Sequence, residues 1–221
     1  AEIALQAMRG KPLNRAMDIG CAVGRTSFEL AKGLPGSSGF KSVTGVDFSA
    51  RFIKLADELM HDGVVRYALT DEGVLQSFRE ISLDKLGLAD CASRVSFWQG
   101  DACNLKETYR DFDLVVAANL IDRLYDPARF LDEIGSRIVP GGVLVLTSPY
   151  TWLEEHTPKQ QWLGGFKQDG ERYTTLDALH SKLARDFVPM GEPQDVPFVI
   201  RETARKFQHT IAQLTCWERR R

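Results

Sequence analysis

The chain has 221 residues, 43% apolar and 26% charged, which is enough to bury one sizeable core and too little for two ordinary domains; a single domain over 1–221 is expected. A formal net charge of -2 and a pI near 6.1 argue against a nucleic-acid groove, which needs a clear excess of Lys and Arg. Four cysteines without a CxxC pair and four histidines without ligand spacing argue against a metal site, and no apolar run approaches the ~18 residues of a membrane span.

In chain order, apolar clusters recur between helix-like stretches: Ala16 to Ile19, Val43 to Val46, Val95 to Trp98, Leu114 to Ala118 and Val143 to Thr147. Short buried strands alternating with helices predict a mostly parallel, doubly wound α/β sheet. Ser49 is placed to cap the helix through Ile53, Leu55 and Leu59, and Asp126-Pro127 reads as a cap followed by proline in the first turn. In that second helix Phe130, Leu131, Ile134 and Ile138 repeat at helical spacing, with Pro140-Gly141-Gly142 expected to stop it.

Residues 61 to 92 exceed what one connection needs and predict a small insertion, a hairpin or a lid, around Asp71-Glu72-Gly73. Residues 149 to 173 read as a long loop carrying Tyr150, Trp152, Trp162 and Phe166. A helix over Leu176 to Leu183 follows, then two β-like runs, Val196 to Ile200 and Phe207 to Cys216, expected to form an antiparallel hairpin closing one sheet edge.

The chemistry-bearing signals sit at successive strand ends. Met17-Asp18-Ile19-Gly20-Cys21-Ala22-Val23-Gly24 is a strand entering a small-residue turn, where glycines let backbone approach a ligand. Asp47, ending the next strand with Phe48 beside it, is placed to accept both hydroxyls of a ribose. Asp101 and Ala102 end the third strand, where an acid can accept from an adenine amino group. The three together point to an adenosine-type cofactor. A pyrophosphate binder wants G-x-G-x-x-G, but Cys21 and Ala22 follow Gly20, so the wider turn suits a cofactor without phosphate.

That combination resembles class I (Rossmann-like) methyltransferases, which implies S-adenosylmethionine as cofactor and S-adenosylhomocysteine as product. Asp18 would help hold the turn and the methionine end, and Asn119 would face the methyl group. At finer grain, DIGCAVGRTSFELA, GVDFSARFI, QGDACNL, AANLIDRLYDP, SPYTWLEE, WLGGF and DVPFVIRETARKFQHT closely resemble the methyltransferase module of ovothiol biosynthesis, from about Ala16 to Trp217. The stretches 119 to 127, 148 to 155 and 195 to 210 carry that finer resemblance. It implies methyl transfer to the imidazole Nπ of 5-thiohistidine, giving ovothiol A. Family members usually have more sequence before the first strand than the roughly 15 residues here, and no iron-dependent sulfoxide synthase domain accompanies this module. The expectation is therefore a chain that methylates and does not insert sulfur, with a sulfoxide synthase, fused or separate, acting upstream.

Asp122 and Tyr150 are the candidates for a general base if one is used, beside Asn119 at the methyl group. Tyr150 and Trp152 are expected to wall the substrate, and the turn Arg201 to Lys206 to reach the active face, with Arg201, Arg205 or Lys206 on a carboxylate and Glu202 on an ammonium. The same residues leave open a methyltransferase for another small molecule, or a non-catalytic S-adenosylmethionine-binding subunit. With no leader or span in view, the expected setting is cytoplasmic, without nucleic-acid or membrane partners.

Overall fold

Strands buried on both faces dictate the architecture. The computed structural model describes all 221 residues. In chain order they form α1 (Glu2–Ala7), β1 (Arg15–Ile19), α2 (Arg25–Lys32), β2 (Ser42–Asp47), α3 (Ala50–Asp62), β3 (Val64–Glu72), β4 (Leu75–Ser82), α4 (Leu83–Leu86) and β5 (Val95–Gln99). There follow β6 (Phe112–Ala118), α5 (Pro127–Ile134), β7 (Ile138–Ser148), β8 (Phe166–Gln168), β9 (Glu171–Tyr173), α6 (Thr175–Leu183), β10 (Phe187–Pro189), β11 (Gln194–Arg201) and β12 (Phe207–Arg219).

The main sheet runs β10-β12-β7-β6-β1-β2-β5, with β11 also paired to β12. Its central strands β7, β6, β1, β2 and β5 are parallel, and β12 joins β7 antiparallel. The chain thus winds outward from β1 twice, through β2 and β5 on one side and through β6 and β7 on the other. The order reverses at β1, and a crevice opens there at the carboxyl ends.

Period-two alternation sends neighbouring side chains to opposite faces. Ala16, Leu114, Val116, Val143 and Val145 join one core cluster with Phe28 of α2 and Ala56 of α3, while Met17, Val115, Ala117, Leu144 and Leu146 join a second with Phe130 of α5 and Leu179 of α6. Both faces are covered by helices, which is why these strands read as near-continuous apolar runs. No helix is long and apolar enough to cross a membrane.

Local caps form where the sequence places them. Ser49 Oγ accepts from the Phe52 amide at 3.3 Å, and Asp126 accepts from the Arg129 amide at 3.0 Å, with Pro127 opening α5. One boundary is corrected. The helix ends at Ile134 and a 3-10 turn follows; Ile138 opens β7, and Pro140-Gly141-Gly142 is a bulge inside that strand, between Ile138 paired with Phe112 and Val143 paired with Leu114. Proline has no amide proton for the ladder and Gly141 has a φ of 78°, so the segment leaves the pairing and the strand resumes beyond it. The short β10 and the small β8–β9 hairpin within the 149 to 173 loop have too few residues for a periodic signal.

Residues 61 to 92 hold an antiparallel hairpin, β3–β4, closed at its base where the Leu83 amide donates to the Gly63 carbonyl. At the other end, Gln213 is the first residue of β12 to meet β7, opposite Ser148, so the β11–β12 hairpin from Phe207 to Ala212 stands clear of the sheet's carboxyl edge. The projection is roughly 20 Å at about 3.3 Å per residue.

Gly24 shows how tightly the first turn is built. It caps α2 at a φ of 85°, and a Cβ there would run into the Phe97 ring. Gly24→Ala is expected to lower stability by roughly 1–3 kcal/mol, read as a reduced urea midpoint; an unchanged midpoint would mean that the ring yields without penalty.

Candidate functional site

The turn after β1 is built from backbone and from one distant carboxylate. Asp47, at the end of β2, accepts from the Ala22 amide at 2.9 Å through Oδ2 and from the Ser49 amide at 2.8 Å through Oδ1. A carboxylate has about four acceptor positions, so two remain for a ligand diol. Ala22 takes a left-handed φ of 48°, and Gly20 lies at 75° with its amide donating to the Val46 carbonyl.

Beside this turn lies a cleft of about 330 Å³ lined by Gly20, Asp47, Phe48, Asp101, Ala102 and Tyr125 among others. Five of the residues expected to hold a cofactor therefore share one cavity: Gly20, Asp47, Phe48, Asp101 and Ala102. Phe48 is 75% exposed, an open ring face at the rim. A Cβ on Gly20 would come within 3.0 Å of Leu120, another lining residue, so glycine keeps the cleft wide at that point.

Asp101 Oδ1 accepts from the Cys103 amide at 2.8 Å, and Oδ2 accepts from the Tyr125 hydroxyl at 2.8 Å. That bond chiefly pushes the Tyr125 phenol up to about 12. Tyr125 escaped sequence reasoning, as did Leu120, Arg123, Leu124, Glu155 and His156, which also line the cleft. Their signal was present in AANLIDRLYDP and SPYTWLEE, but nothing in spacing alone says which side of an irregular loop faces a ligand.

The other expected cofactor residues lie around the cleft rather than in its wall. Asp18 is buried beneath the turn and accepts from Ser27 Oγ at 2.7 Å, tying β1 to α2. Cys21 is buried and its thiol is pushed strongly up by burial, so it is a small packing residue there. Asn119 holds a φ of 53°; its amide donates to the Thr147 carbonyl at 2.8 Å and its Oδ1 accepts from Thr147 Oγ1 at 3.0 Å, locking the end of β6 to β7.

Among the expected catalytic and substrate residues, Asp122 has a different place from the one foreseen. It is 0% exposed, Oδ1 accepts from Ser148 Oγ at 2.9 Å, and Oδ2 accepts from the Thr151 amide and hydroxyl at 3.1 and 2.8 Å. With no surface to offer a substrate, it shapes the turn that carries Tyr150. Tyr150 itself has a φ of 54°, and its hydroxyl donates to Gln213 Oε1 at 3.0 Å; burial pushes its phenol up to about 12.

Tyr150 and Trp152 share a second cleft of about 550 Å³ with Phe166 and Tyr173. Trp152 is held there by a bond from Nε1 to Thr175 Oγ1 at 2.9 Å and by stacking on Trp162 with ring centres 6.5 Å apart. Arg201, Glu202 and Lys206 belong to neither cleft. They form the tip of the β11–β12 hairpin, where Glu202 is engaged by Lys206 and Gln208 within its own turn.

Residues 17–144 match a family model described as a methyltransferase domain. The chain belongs to that methyltransferase family. A malonyl-[acyl-carrier protein] O-methyltransferase of Haemophilus ducreyi is 31% identical over 144 residues, 65% of this chain and 44% of that protein. The aligned part thus spans less than half the length of that curated relative. Among solved structures, the N-methyltransferase NodS of Bradyrhizobium japonicum, in complex with S-adenosylhomocysteine, aligns over 98% of this chain and 83% of its own, with 17% identity and a TM-score of 0.57. A SAM-dependent methyltransferase of Methanosarcina mazei covers 95% and 94% with 20% identity and a TM-score of 0.57.

The methyltransferase's cofactor is S-adenosylmethionine, and the residues present fit it. The cleft has an acid with free acceptor positions at the end of β2, a second acid at the end of β5, an exposed aromatic ring between them and a glycine kept bare where a side chain would close the space.

The Asp18 carboxyl is raised by burial from 3.8 to about 6, partly offset by its Ser27 hydrogen bonds. Between those values the folded methyltransferase binds more protons than the unfolded chain, so this group's contribution to stability falls as pH rises from about 4 to about 6 and is flat above. Asp18→Asn removes the term, worth roughly 3 kcal/mol from a shift of about two units. Its unfolding free energy relative to the parent is expected to rise across that window, and parallel pH profiles for the two proteins would contradict the burial argument.

Proposed function

We propose that this methyltransferase moves the methyl group of S-adenosylmethionine to the imidazole Nπ of 5-thiohistidine, forming ovothiol A. The observation that carries the reading is a convergence. Of the stretches on which the ovothiol resemblance is most specific, 119 to 127 and 148 to 155 are bonded to each other at the carboxyl edge of the sheet, and 195 to 210 rises next to them in the β11–β12 hairpin. Arg123 donates to Thr151 Oγ1 at 3.2 Å, Asp122 binds Ser148 and Thr151, and Tyr150 reaches β12 at Gln213. Acceptor specificity in this fold is a matter of what stands around the donor's methyl group, and the proximity of these segments to the carboxyl edge supports assigning them that part.

S-adenosylmethionine supplies an electrophilic methyl group on a sulfonium. The chain's residues align the acceptor and exclude water, and good alignment can remove ~7–11 kcal/mol of barrier. A protein base is not needed for this. Tyr150 keeps its proton at neutral pH because its phenol titrates at about 12, and Asp122 is sealed inside. The attacking Nπ must present its lone pair, so any proton on it leaves to water before transfer.

Tyr150 and Trp152 wall the ring, Asn119 faces the methyl group, and the Arg201 to Lys206 tip receives the amino-acid end. A sulfoxide synthase, fused or separate, supplies the thiolated ring, and the setting is cytoplasmic.

Purified chain incubated with S-adenosylmethionine and either 5-thiohistidine or histidine is expected to add one methyl, by mass spectrometry, to the thiolated substrate alone. Methylation of neither, despite calorimetric binding of the cofactor, would overturn the assigned acceptor and leave the cofactor site standing. Asp47→Ala is expected to weaken S-adenosylhomocysteine binding by roughly 1–3 kcal/mol, because ribose hydroxyls and the Ala22 amide lose their acceptor; unchanged affinity would remove Asp47 from the site.

A further inference from the structure

Two hairpins that the methyltransferase sheet does not require meet at their tips. The α3 helix of 13 residues carries the chain about 19 Å away from the carboxyl edge, and β3, packed along it, climbs back roughly 26 Å before it reaches Asp71. The β11–β12 hairpin rises from the other side of the sheet, beyond β7. Arg201 Nη2 lies 3.5 Å from Asp71 Oδ1, a contact between residues 130 positions apart. Strands β7, β6, β1 and β2 lie between the two supports, so the joined tips span the edge at which the cofactor cleft opens.

The contact is poorly made as an ion pair and well made as an adaptable one. Both side chains are about one-third exposed, 33% and 35%, which leaves the pair little net stabilisation. Each is steadied from within its own hairpin: Arg201 Nε donates to the Thr203 carbonyl at 3.0 Å, and Asp71 Oδ1 accepts from Ser77 Oγ at 3.2 Å. The outer guanidinium edge and Asp71 Oδ2 have no other partner in the protein. A cation and an anion held side by side, loosely bonded to each other, complement a molecule that carries the opposite charges side by side.

We infer that Asp71 and Arg201 together bind the zwitterionic end of a free α-amino acid, the carboxylate on Arg201 and the ammonium on Asp71, by exchanging their mutual contact for the substrate. This rests on the proposed acceptor and deepens it. It assigns the ammonium to Asp71 of the β3–β4 insertion rather than to Glu202, whose oxygens are taken by Lys206 and Gln208. An arginine fork suits a carboxylate bidentately, and the acceptor ring then hangs below the arch toward the cleft.

The test compares the parent, Asp71→Asn and Arg201→Gln on three acceptors: 5-thiohistidine, its Nα-acetyl derivative and its methyl ester. For the free amino acid, each substitution is expected to raise KM by roughly 10- to 100-fold with kcat little changed, as loss of a charged hydrogen-bond partner does. Asp71→Asn should leave KM for the acetylated acceptor unaltered, and Arg201→Gln should leave KM for the ester unaltered, because the partner charge is already gone. Affinity for S-adenosylhomocysteine, measured by calorimetry, should stay at the parent value in both variants, which controls for folding. Equal penalties on all three acceptors, or recovery of the parent KM in the charge-swapped Asp71→Arg/Arg201→Asp protein, would make the pair a structural clasp and end the inference. Absence of transfer to 5-thiohistidine by the parent itself would overturn the proposed acceptor, and the zwitterion assignment with it.

Discussion

The site depends on a turn that must be held open without side chains of its own, and Asp47 is what holds it. Its two oxygens accept from Ala22 in the turn after β1 and from Ser49 at the head of α3, so one carboxylate fixes two backbone segments that leave neighbouring strands. Backbone amides near the end of a strand have no ladder partner, and a buried unpaired amide is costly. Satisfying them from the next strand lets the turn stay wide and poor in side chains, with Gly20 bare against Leu120. Ribose recognition by Asp47 would therefore add to a role that the residue already has in the fold.

The three acids at the strand ends differ because their surroundings differ. Asp18 is sealed under the turn, bonded to Ser27, and burial lifts its carboxyl, so it serves the joint between β1 and α2. Asp47 sits half-buried at the crevice mouth. Asp101 is shared between the Cys103 amide and the Tyr125 hydroxyl across the cleft. Identical side chains near neighbouring strand ends thus differ in burial and in hydrogen-bond partners, from a sealed joint at Asp18 to cleft-lining carboxylates at Asp47 and Asp101. Asp122 belongs with Asp18: its three hydrogen bonds from Ser148 and Thr151 stabilise the left-handed Tyr150, and it offers nothing to solvent.

How far this was legible in the sequence follows from the range of the interactions. The strands, the Ser49 and Asp126 caps and the cofactor acids rest on local or periodic chemistry, and each could be read at its own position. The end of the helix before β7 could not, because Pro140-Gly141-Gly142 reads as a helix stop but serves as a bulge whose partner strand, β6, is over twenty residues away. The inward turn of Asp122 and the Tyr125–Asp101 bond are long-range in the same sense, and a charged residue in a loop carries no mark of the side it faces. Asp71 was visible only as part of an insertion of unknown use, since its partner Arg201 lies 130 residues further on.

If the proposed acceptor is right, the added hairpins would explain how a common cofactor platform comes to serve it. The cofactor cleft lies at the ends of β1, β2 and β5, within the residues that match the family, so discrimination among acceptors would come from other elements around it. Here those are β3–β4, the loop from Ser148 to Trp152 and β11–β12, inserted or appended around the sheet without disturbing its register. Besides the pairing of β12 with β7, a few side-chain bonds tie them to one another and to the sheet edge: Tyr150 to Gln213, Arg201 to Asp71, Thr151 to Asp122. The displacement reaction gains most from alignment, and in the proposed reading an acceptor held at its charged end by the tips and at its ring by Tyr150 would have little freedom left to misalign.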